Sequence, residues 1–573
     1  MSDSEDPRAD LSVGTVPQLV ADAARAFGDD EAIVDSSNGT TVLRMSFVDL
    51  ESHALEVTRA TVAAGIHPGD RVAIWAPNCA EWVVTALGLL GAGAVLVPLN
   101  TRFKGPEAAY VLRASGTRAL FTVRGFLGID YPALLEWEEL PALERMVLLR
   151  DCAGPSSEET TTDEVPIFGW REFIDNALGI VTSEDGVAGV EVSEHEARNR
   201  WQAVRSDDLS DVIFTSGTTG RPKGATATHA QSLRTFATWA RIVGLERGDR
   251  YLVVNPFFHT FGYKAGILAC LIAGATIVPE SAFDAQRVIE TIESERITVL
   301  PGPPTLYQSL LDHPTRTAHD LSSLRLAVTG AAMVPVELVR RMHDELGFDT
   351  VLTGYGLTES TGVVTMCRQG DDPETIATTS GRPIPDVEVR VVDATDKLVE
   401  AGDPGEIVVR GYNVTSGYLG DPEATEDAID AEGWLHTGDI GTMDGAGNVR
   451  ITDRKKDMYV VGGFNAYPAE IERVLLEHPD VAQVAVVGVP DARLGEVGCA
   501  FVMPVPGADA AALRAGLPEW AREQMANYKL PRHIEIVEAL PLNASGKVLK
   551  TELRARWAEG SERTEGPGGE EHR

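Results

Sequence analysis

Two apolar runs stand out along the chain, residues 83–99 and 266–278. Each carries glycine within it, and each closes on a proline, Pro98 or Pro279. Both fall short of the roughly 20 apolar residues a membrane span needs, so each predicts a buried helix running into a buried strand. The runs belong to a longer echo. Residues 65–77 read GIHPGDRVAIWAP and residues 244–256 read GLERGDRYLVVNP, with glycine, GDR and the closing proline at matching positions. This pattern predicts an α/β fold: a large N-terminal domain of two similar α/β subdomains, each with strands alternating with helices around a mostly parallel sheet.

Beyond the charge cluster DRKKD at residues 453–457 the pattern changes to a compact α+β order. It predicts a helix over 468–478, with Pro468 suited to its first turn. Strands are predicted over 481–489 and 499–505, a helix over 510–525 and a strand over 533–537. The expected organisation is an N-terminal domain over residues 1–453, a small mobile C-terminal domain over 454–558 and a disordered tail over 559–573. A chain of 573 residues is in any case too long for one core. Residues 151–207 turn acidic and polar, beginning near GPSSEETTTDEVP, and predict a partly disordered surface excursion.

Charge and composition narrow the function classes. The formal net charge of -36 opposes nucleic-acid and anionic-membrane partners. The first residues, MSDSEDPRAD, are acidic where a secretion signal is basic and then apolar. Cys79, Cys152, Cys270, Cys367 and Cys499 are scattered without metal-ligand spacing. They predict reduced core residues and a cytoplasmic protein with no transmembrane segment. A homodimer is compatible with all of this and is not specified by it.

Candidate chemistry concentrates in residues 215–224, TSGTTGRPKG, which follow an apolar strand over 211–214 and precede a helical segment. The backbone N–H groups and hydroxyls of Thr215, Ser216, Gly217, Thr218, Thr219 and Gly220 can wrap a polyphosphate, with Lys223 as countercharge. The Walker A pattern is not met: Gly217 and Gly220 are too close together and Pro222 precedes the lysine. That opposes a P-loop kinase or ATPase. Further motifs follow in order: GYGLTES at 354–360, TGD at 437–439, DRKKDMYVVGGFNAYP at 453–468 and PLNASGK at 541–547.

With these five strings the chain resembles, from about residue 15 to residue 555, the adenylate-forming superfamily of acyl-CoA synthetases, peptide-synthetase adenylation domains and beetle luciferases. The resemblance implies ATP, magnesium and coenzyme A, with a small carboxylic acid converted first to an acyl adenylate and then to a thioester. It implies that Thr358 and Glu359 act at the phosphates, Glu359 holding the magnesium ion, a hard cation that takes oxygen ligands. Gly354, Tyr355 and Gly356 would lie against adenine. Asp439 would accept from the ribose hydroxyls and Arg454 would make a second ribose and phosphate contact. Lys547 would be the adenylation lysine, Lys456 the hinge, and Gly463 with its neighbour Gly462 the glycines of the CoA tunnel. Phe236, Trp239, His259, Gly330 and Ala331 would wall the acyl pocket.

Residues 297–392 are most similar to a subgroup of actinobacterial CoA ligases, the HIP-CoA ligases. These act on the methyl-indanedione propanoate left when steroid A and B rings are removed. A medium-chain or aryl acid is the alternative substrate. A catalytically silent binding protein is the alternative of another class, opposed by the presence of Lys223, Glu359, Asp439, Arg454 and Lys547 together.

Overall fold

In a computed structural model the two GDR copies begin the same construction. The strands Arg71–Trp75 and Arg250–Val253 follow Asp70 and Asp249. Each aspartate accepts a hydrogen bond at 2.8 Å from the backbone N–H three residues before it, at His67 and at Glu246. Each also pairs with the arginine that precedes a later strand, Arg118 or Arg325. Arg71 and Arg250 in turn donate to carbonyls near helix ends, those of Ser115 and Glu295. The echo is thus a repeat of structure, held by the same polar contacts in both copies.

The structure describes residues 14–36, 41–150, 165–178, 191–215, 222–330, 334–454, 457–461, 464–491, 493–525, 527–542 and 548–564. They form two compact units, one reaching Gly330 and adding Val334–Val389 and Val409–Leu435, the other made of Arg390–Val408 and the chain from His436 onward.

The first unit has two main sheets. One runs in the order Lys223–Thr228, Leu209–Thr215, Val95–Pro98, Arg71–Trp75, Ala119–Thr122, Arg145–Leu148, Ile167–Gly169, parallel throughout except for the Lys223–Thr228 edge. Its central strands Val95–Pro98 and Ala119–Thr122 are buried at every position, which is why they read as unbroken apolar runs. The other sheet begins Leu43–Ser46, Glu31–Asp35, Thr276–Pro279, Arg250–Val253. It continues through isolated bridges at Val299 to Leu326–Gly330, Thr350–Tyr355, Thr365–Met366 and Arg382–Pro383. The repeats therefore interleave in sequence: Glu31–Asp35, ahead of the first GDR, pairs in parallel with Thr276–Pro279 of the second, Ile33 opposite Ile277.

One expectation is corrected here. The phosphate loop is followed by a strand before any helix: Lys223–Thr228 returns antiparallel to Leu209–Thr215, Lys223 opposite Thr215, and only then does His229–Val243 begin. Small and β-branched residues in KGATAT suit that pleat, and Thr228 caps the helix by accepting from Gln231 N at 3.2 Å. Within the acidic excursion, the described residues 165–178 and 191–207 are built into the unit. They supply the edge strand Ile167–Gly169 and the helices Trp170–Ala177 and Glu194–Ala203, and Trp201 is buried with Nε1 donating to Thr58 Oγ1 at 2.8 Å. The second apolar run holds the buried helix and strand expected of it: the π-helix Tyr263–Leu268 leads into Ala269–Ala273, and the strand Thr276–Pro279 follows.

A further sheet is ordered Val387–Val392, Gly405–Gly411, Leu435–Met443, Val449–Arg454. The second unit contains a five-stranded sheet in which Val481–Asp491 and Gly495–Pro504 form a long antiparallel pair and His533–Ile536 adds a parallel strand. Alternation sends Val486 and Val502 into a core with Ile471, Leu475, Leu513 and Leu517 from the helices Pro468–Leu475 and Ala510–Gln524. Val487 and Phe501 point into a second cluster with Leu553 and Trp557 of the helix Lys550–Thr564. That helix carries the chain into the tail beyond residue 559. No described helix is long and apolar enough to cross a membrane.

Candidate active site

In the first unit the sequence-predicted residues Thr215, Lys223 and Glu359 come together. Thr215 and Lys223 are the two ends of the hairpin that encloses the phosphate loop, paired across it in register. The GYGLTES segment ends the strand Thr350–Tyr355 and tightens into a 3₁₀ turn, Thr358–Ser360. Ser360 Oγ accepts from Leu357 N at 3.0 Å, and the turn closes through Thr361 and Gly362, both with positive φ. A Cβ on Gly356 would lie 2.2 Å from the Gly362 carbonyl oxygen, so only glycine fits there. Gly330 and Gly354 are register partners on adjacent strands, and a Cβ on Gly330 would lie 2.8 Å from the Gly354 oxygen.

Thr215 Oγ1 donates to Glu359 Oε1 at 3.1 Å, which brings the hairpin and the turn into direct contact. A third segment, missed in the sequence, joins them. Tyr418 OH donates to the same Glu359 Oε1 at 3.0 Å, and Lys223 Nζ stands 5.3 Å from the centre of the Tyr418 ring. Burial, and after it the charge of Glu359, push the Tyr418 phenol up, so it stays a hydrogen-bond donor. The loop that carries it is stitched to both sides by backbone. Thr415 N donates to the Glu359 carbonyl at 2.7 Å, and Leu419 N donates to the Gly224 carbonyl at 2.8 Å. An aromatic between glycines in SGYLG, echoing GYGLTES, is the one local signal that could have drawn attention to Tyr418.

Beneath the hairpin lies a buried polar cluster. Asp211 and Lys264 pair at 2.9 Å with side chains 1% exposed each. Ser210 Oγ donates to Asp211 at 2.7 Å. His229, first residue of its helix, accepts from Val16 N at 3.2 Å, and burial pulls its pKa down to about 4, against the opposing pull of Asp211 and Asp208. The imidazole is a neutral acceptor.

The predicted pocket residues occupy different environments. Phe236 and Trp239 are buried on the helix His229–Val243, their ring centres 6.4 Å apart, with Tyr251 behind Trp239 at 6.3 Å. A Cβ on Gly362 would meet Phe236 Cζ at 3.3 Å, so Phe236 packs under the Glu359 turn. His259 is exposed, and its Nδ1 accepts from Phe261 N at 3.2 Å, capping a short helical turn. In the second unit Asp439 lies on Leu435–Met443, opposite Arg454 in register and 2% exposed, its N–H donating to Thr437 Oγ1 at 3.1 Å. Ser216, Gly217, Thr218, Thr219, Gly220, Ala331, Lys456, Gly462, Gly463 and Lys547 lie outside the described residues.

Magnesium usually takes one or two carboxylates with phosphate oxygens and water rather than an all-protein cage. The half-buried carboxylate of Glu359, beside the Thr215 hydroxyl, fits that demand. A family model described as AMP-binding enzyme matches residues 20–419, and its C-terminal-domain counterpart matches residues 470–547. The chain belongs to the AMP-binding enzyme family. Among the members it resembles are two 7a-methyl-1,5-dioxo-octahydro-1H-inden-4-yl propanoyl:CoA ligases. The Mycobacterium tuberculosis enzyme is 49% identical over 94% of this chain and 98% of its own. The Rhodococcus jostii enzyme is 48% identical over the same shares. A solved structure of the anthranilate CoA ligase AuaEII with anthranoyl-AMP superimposes with a TM-score of 0.80 at 27% identity, covering 98% of this chain and all of that one. ATP-bound MatB from Rhodopseudomonas palustris gives a TM-score of 0.75 at 28% identity over 95% of this chain and 99% of that one. This AMP-binding enzyme is an acid–CoA ligase of the AMP-forming type, with ATP, magnesium and CoA as its working set.

Proposed function

We propose that this ligase activates a bulky bicyclic propanoate of the methyl-dioxo-octahydro-indenyl class. The near-half identity to two ligases of that acid, running over almost the whole chain, carries the reading. In the first half-reaction the acid's carboxylate attacks the α-phosphorus of ATP and pyrophosphate leaves; in the second the CoA thiolate displaces AMP. Two anions must meet in the first step. Lys223 neutralises the polyphosphate from the end of its strand, and the hydroxyls of Thr215 and Thr358 orient phosphate oxygens. Magnesium, when bound at Glu359, supplies further charge neutralisation. Gly354, Tyr355 and Gly356 form the adenine shelf, while Asp439 and Arg454 hold the ribose.

Lys547 serves the first half-reaction from the C-terminal domain. That domain, starting after Asp453, turns about Lys456 so that CoA can enter past Gly462 and Gly463. His259, Phe236, Trp239, Gly330 and Ala331 shape the acyl pocket. A cytoplasmic location is supported by Cys79, Cys270, Cys367 and Cys499, all buried and free. The test is a panel of acids, the bicyclic propanoate beside medium-chain and aryl acids, mixed with ATP, magnesium and CoA and read by mass spectrometry. The bicyclic thioester should form with the highest kcat/KM and with release of pyrophosphate. Preference for a fatty or aryl acid would overturn the substrate, and γ-phosphate released as orthophosphate would overturn the chemistry.

A further inference from the structure

The two charges assigned to the phosphates, the Glu359 carboxylate and the Lys223 ammonium, sit on segments 136 residues apart in sequence (359 minus 223). Thr215, paired with Lys223 across the hairpin, bonds directly to Glu359, and the loop Asn413–Leu419 ties both segments a second time. Its backbone is bonded to the Glu359 turn through Thr415 N at 2.7 Å and to the Lys223 strand through Leu419 N at 2.8 Å. Its side chains add bonds on both flanks: Asn413 Nδ2 donates to the Val363 carbonyl at 2.7 Å, and Thr415 Oγ1 to the Thr226 carbonyl at 2.7 Å. Between these anchors Tyr418 offers its hydroxyl to Glu359 and its ring to Lys223.

We propose that Tyr418 is a positioning residue that orients the Glu359 carboxylate for magnesium and holds the Lys223 ammonium over its ring. Its phenol and the Thr215 hydroxyl both land on Oε1, at 3.0 and 3.1 Å, so the other oxygen is the one a cation can take. The two donors fix the rotation of the carboxylate, which otherwise turns freely about its last bond. The ring face attracts the ammonium without competing for it as a carboxylate would, so Lys223 stays placed yet available to phosphate. The inference rests on the reading of Glu359 and Lys223 given above.

The two limbs separate by substitution. Tyr418→Phe removes the hydroxyl and keeps the ring; Tyr418→Leu removes both. ATP binding without acid, measured by calorimetry across a magnesium titration, reads the metal limb apart from turnover. Both variants should need about tenfold more magnesium for half-saturation, the scale of one lost hydrogen bond to a charged group. At saturating magnesium Tyr418→Phe should bind ATP within about twofold of wild type, while Tyr418→Leu should bind about fivefold more weakly, the scale of one exposed cation–π contact. An unchanged or lowered magnesium requirement in Tyr418→Phe overturns the orienting role, because loss of the phenol alone leaves the carboxylate more negative. Equal ATP affinity for both variants at saturating magnesium overturns the lysine limb. A fall in melting temperature with neither binding parameter moved would make Tyr418 merely structural. Glu359→Gln run beside them separates the premises: if its magnesium dependence matches wild type, the assignment of Glu359 fails whatever Tyr418 does.

Discussion

Replacing His229 by Asn should remove an acid sensitivity that the wild-type fold carries. His229 is buried at the start of the helix His229–Val243, accepts a hydrogen bond from Val16 N at 3.2 Å, and has a pKa of about 4 against an ordinary value of 6.5. Burial is the main cause, opposed by the charges of Asp211 and Asp208, and the charge of Lys264 acts in the same direction as burial. The folded state therefore binds fewer protons than the unfolded state between those two values. Stability contributed by the neutral ring is present above the unfolded pKa and is lost as pH falls toward the folded one. Each tenfold difference in proton affinity between the two states is worth about 1.4 kcal/mol. The loss from pH 7 to pH 5 is then about 2 kcal/mol, rising to about 3 kcal/mol below pH 4. Asn can place its side-chain oxygen where Nδ1 accepts from Val16, and it has no proton to take up. The assay is native-state hydrogen exchange on peptides covering residues 16–27 and 229–243, corrected for intrinsic pH dependence, in both proteins. Wild-type protection should decline between pH 7 and pH 5 by about 2 kcal/mol more than protection in His229→Asn. Parallel curves would refute the reasoning, because a ring that is not held neutral by burial has no such linkage.

Breaking the Lys264–Asp211 pair with Lys264→Met should cost about 3 kcal/mol or more, since it strands a carboxylate that is 1% exposed. The double variant Lys264→Met with Asp211→Asn should recover most of that loss in denaturant unfolding, and simple addition of the two single losses would show that the pair does not interact. Gly362→Ala should cost about 1–3 kcal/mol, because φ there is +103° and the new Cβ would sit 3.0 Å from Thr260 Cβ. Acid-dependent pyrophosphate release should fall with it as the Thr358–Glu359 turn shifts, and wild-type values for both stability and release would show a turn that adapts. Lys547→Ala should slow acyl-AMP formation about a hundredfold while leaving conversion of supplied acyl-AMP and CoA near wild type; equal loss of both half-reactions would remove the lysine from its adenylation role.

Much of this protein is written locally. Apolar runs long enough for a strand but too short for a membrane span marked the buried parallel strands, and a repeated GDR at constant spacing marked two copies of one construction, because in each copy the aspartate bonds a backbone N–H only three residues away. Pro468 and the strand pattern over residues 481–489 likewise announced the small α+β sheet and its helices. What the chain could not announce depends on partners far apart in sequence. The return strand Lys223–Thr228 reads as a loop running into a helix until Leu209–Thr215 offers it a pairing edge. Ile167–Gly169 lies within an acidic stretch and becomes a strand only because the parallel sheet presents a free margin beside Arg145–Leu148. Lys264 and Asp211, or Tyr418 with Lys223 and Glu359, carry no mark of each other in the sequence. Periodicity reports which side of an element is buried, and a motif reports chemistry available within one turn. Which distant side chains share that buried space is decided only when the sheets close over them and bring opposite charges and polar groups within reach of one another.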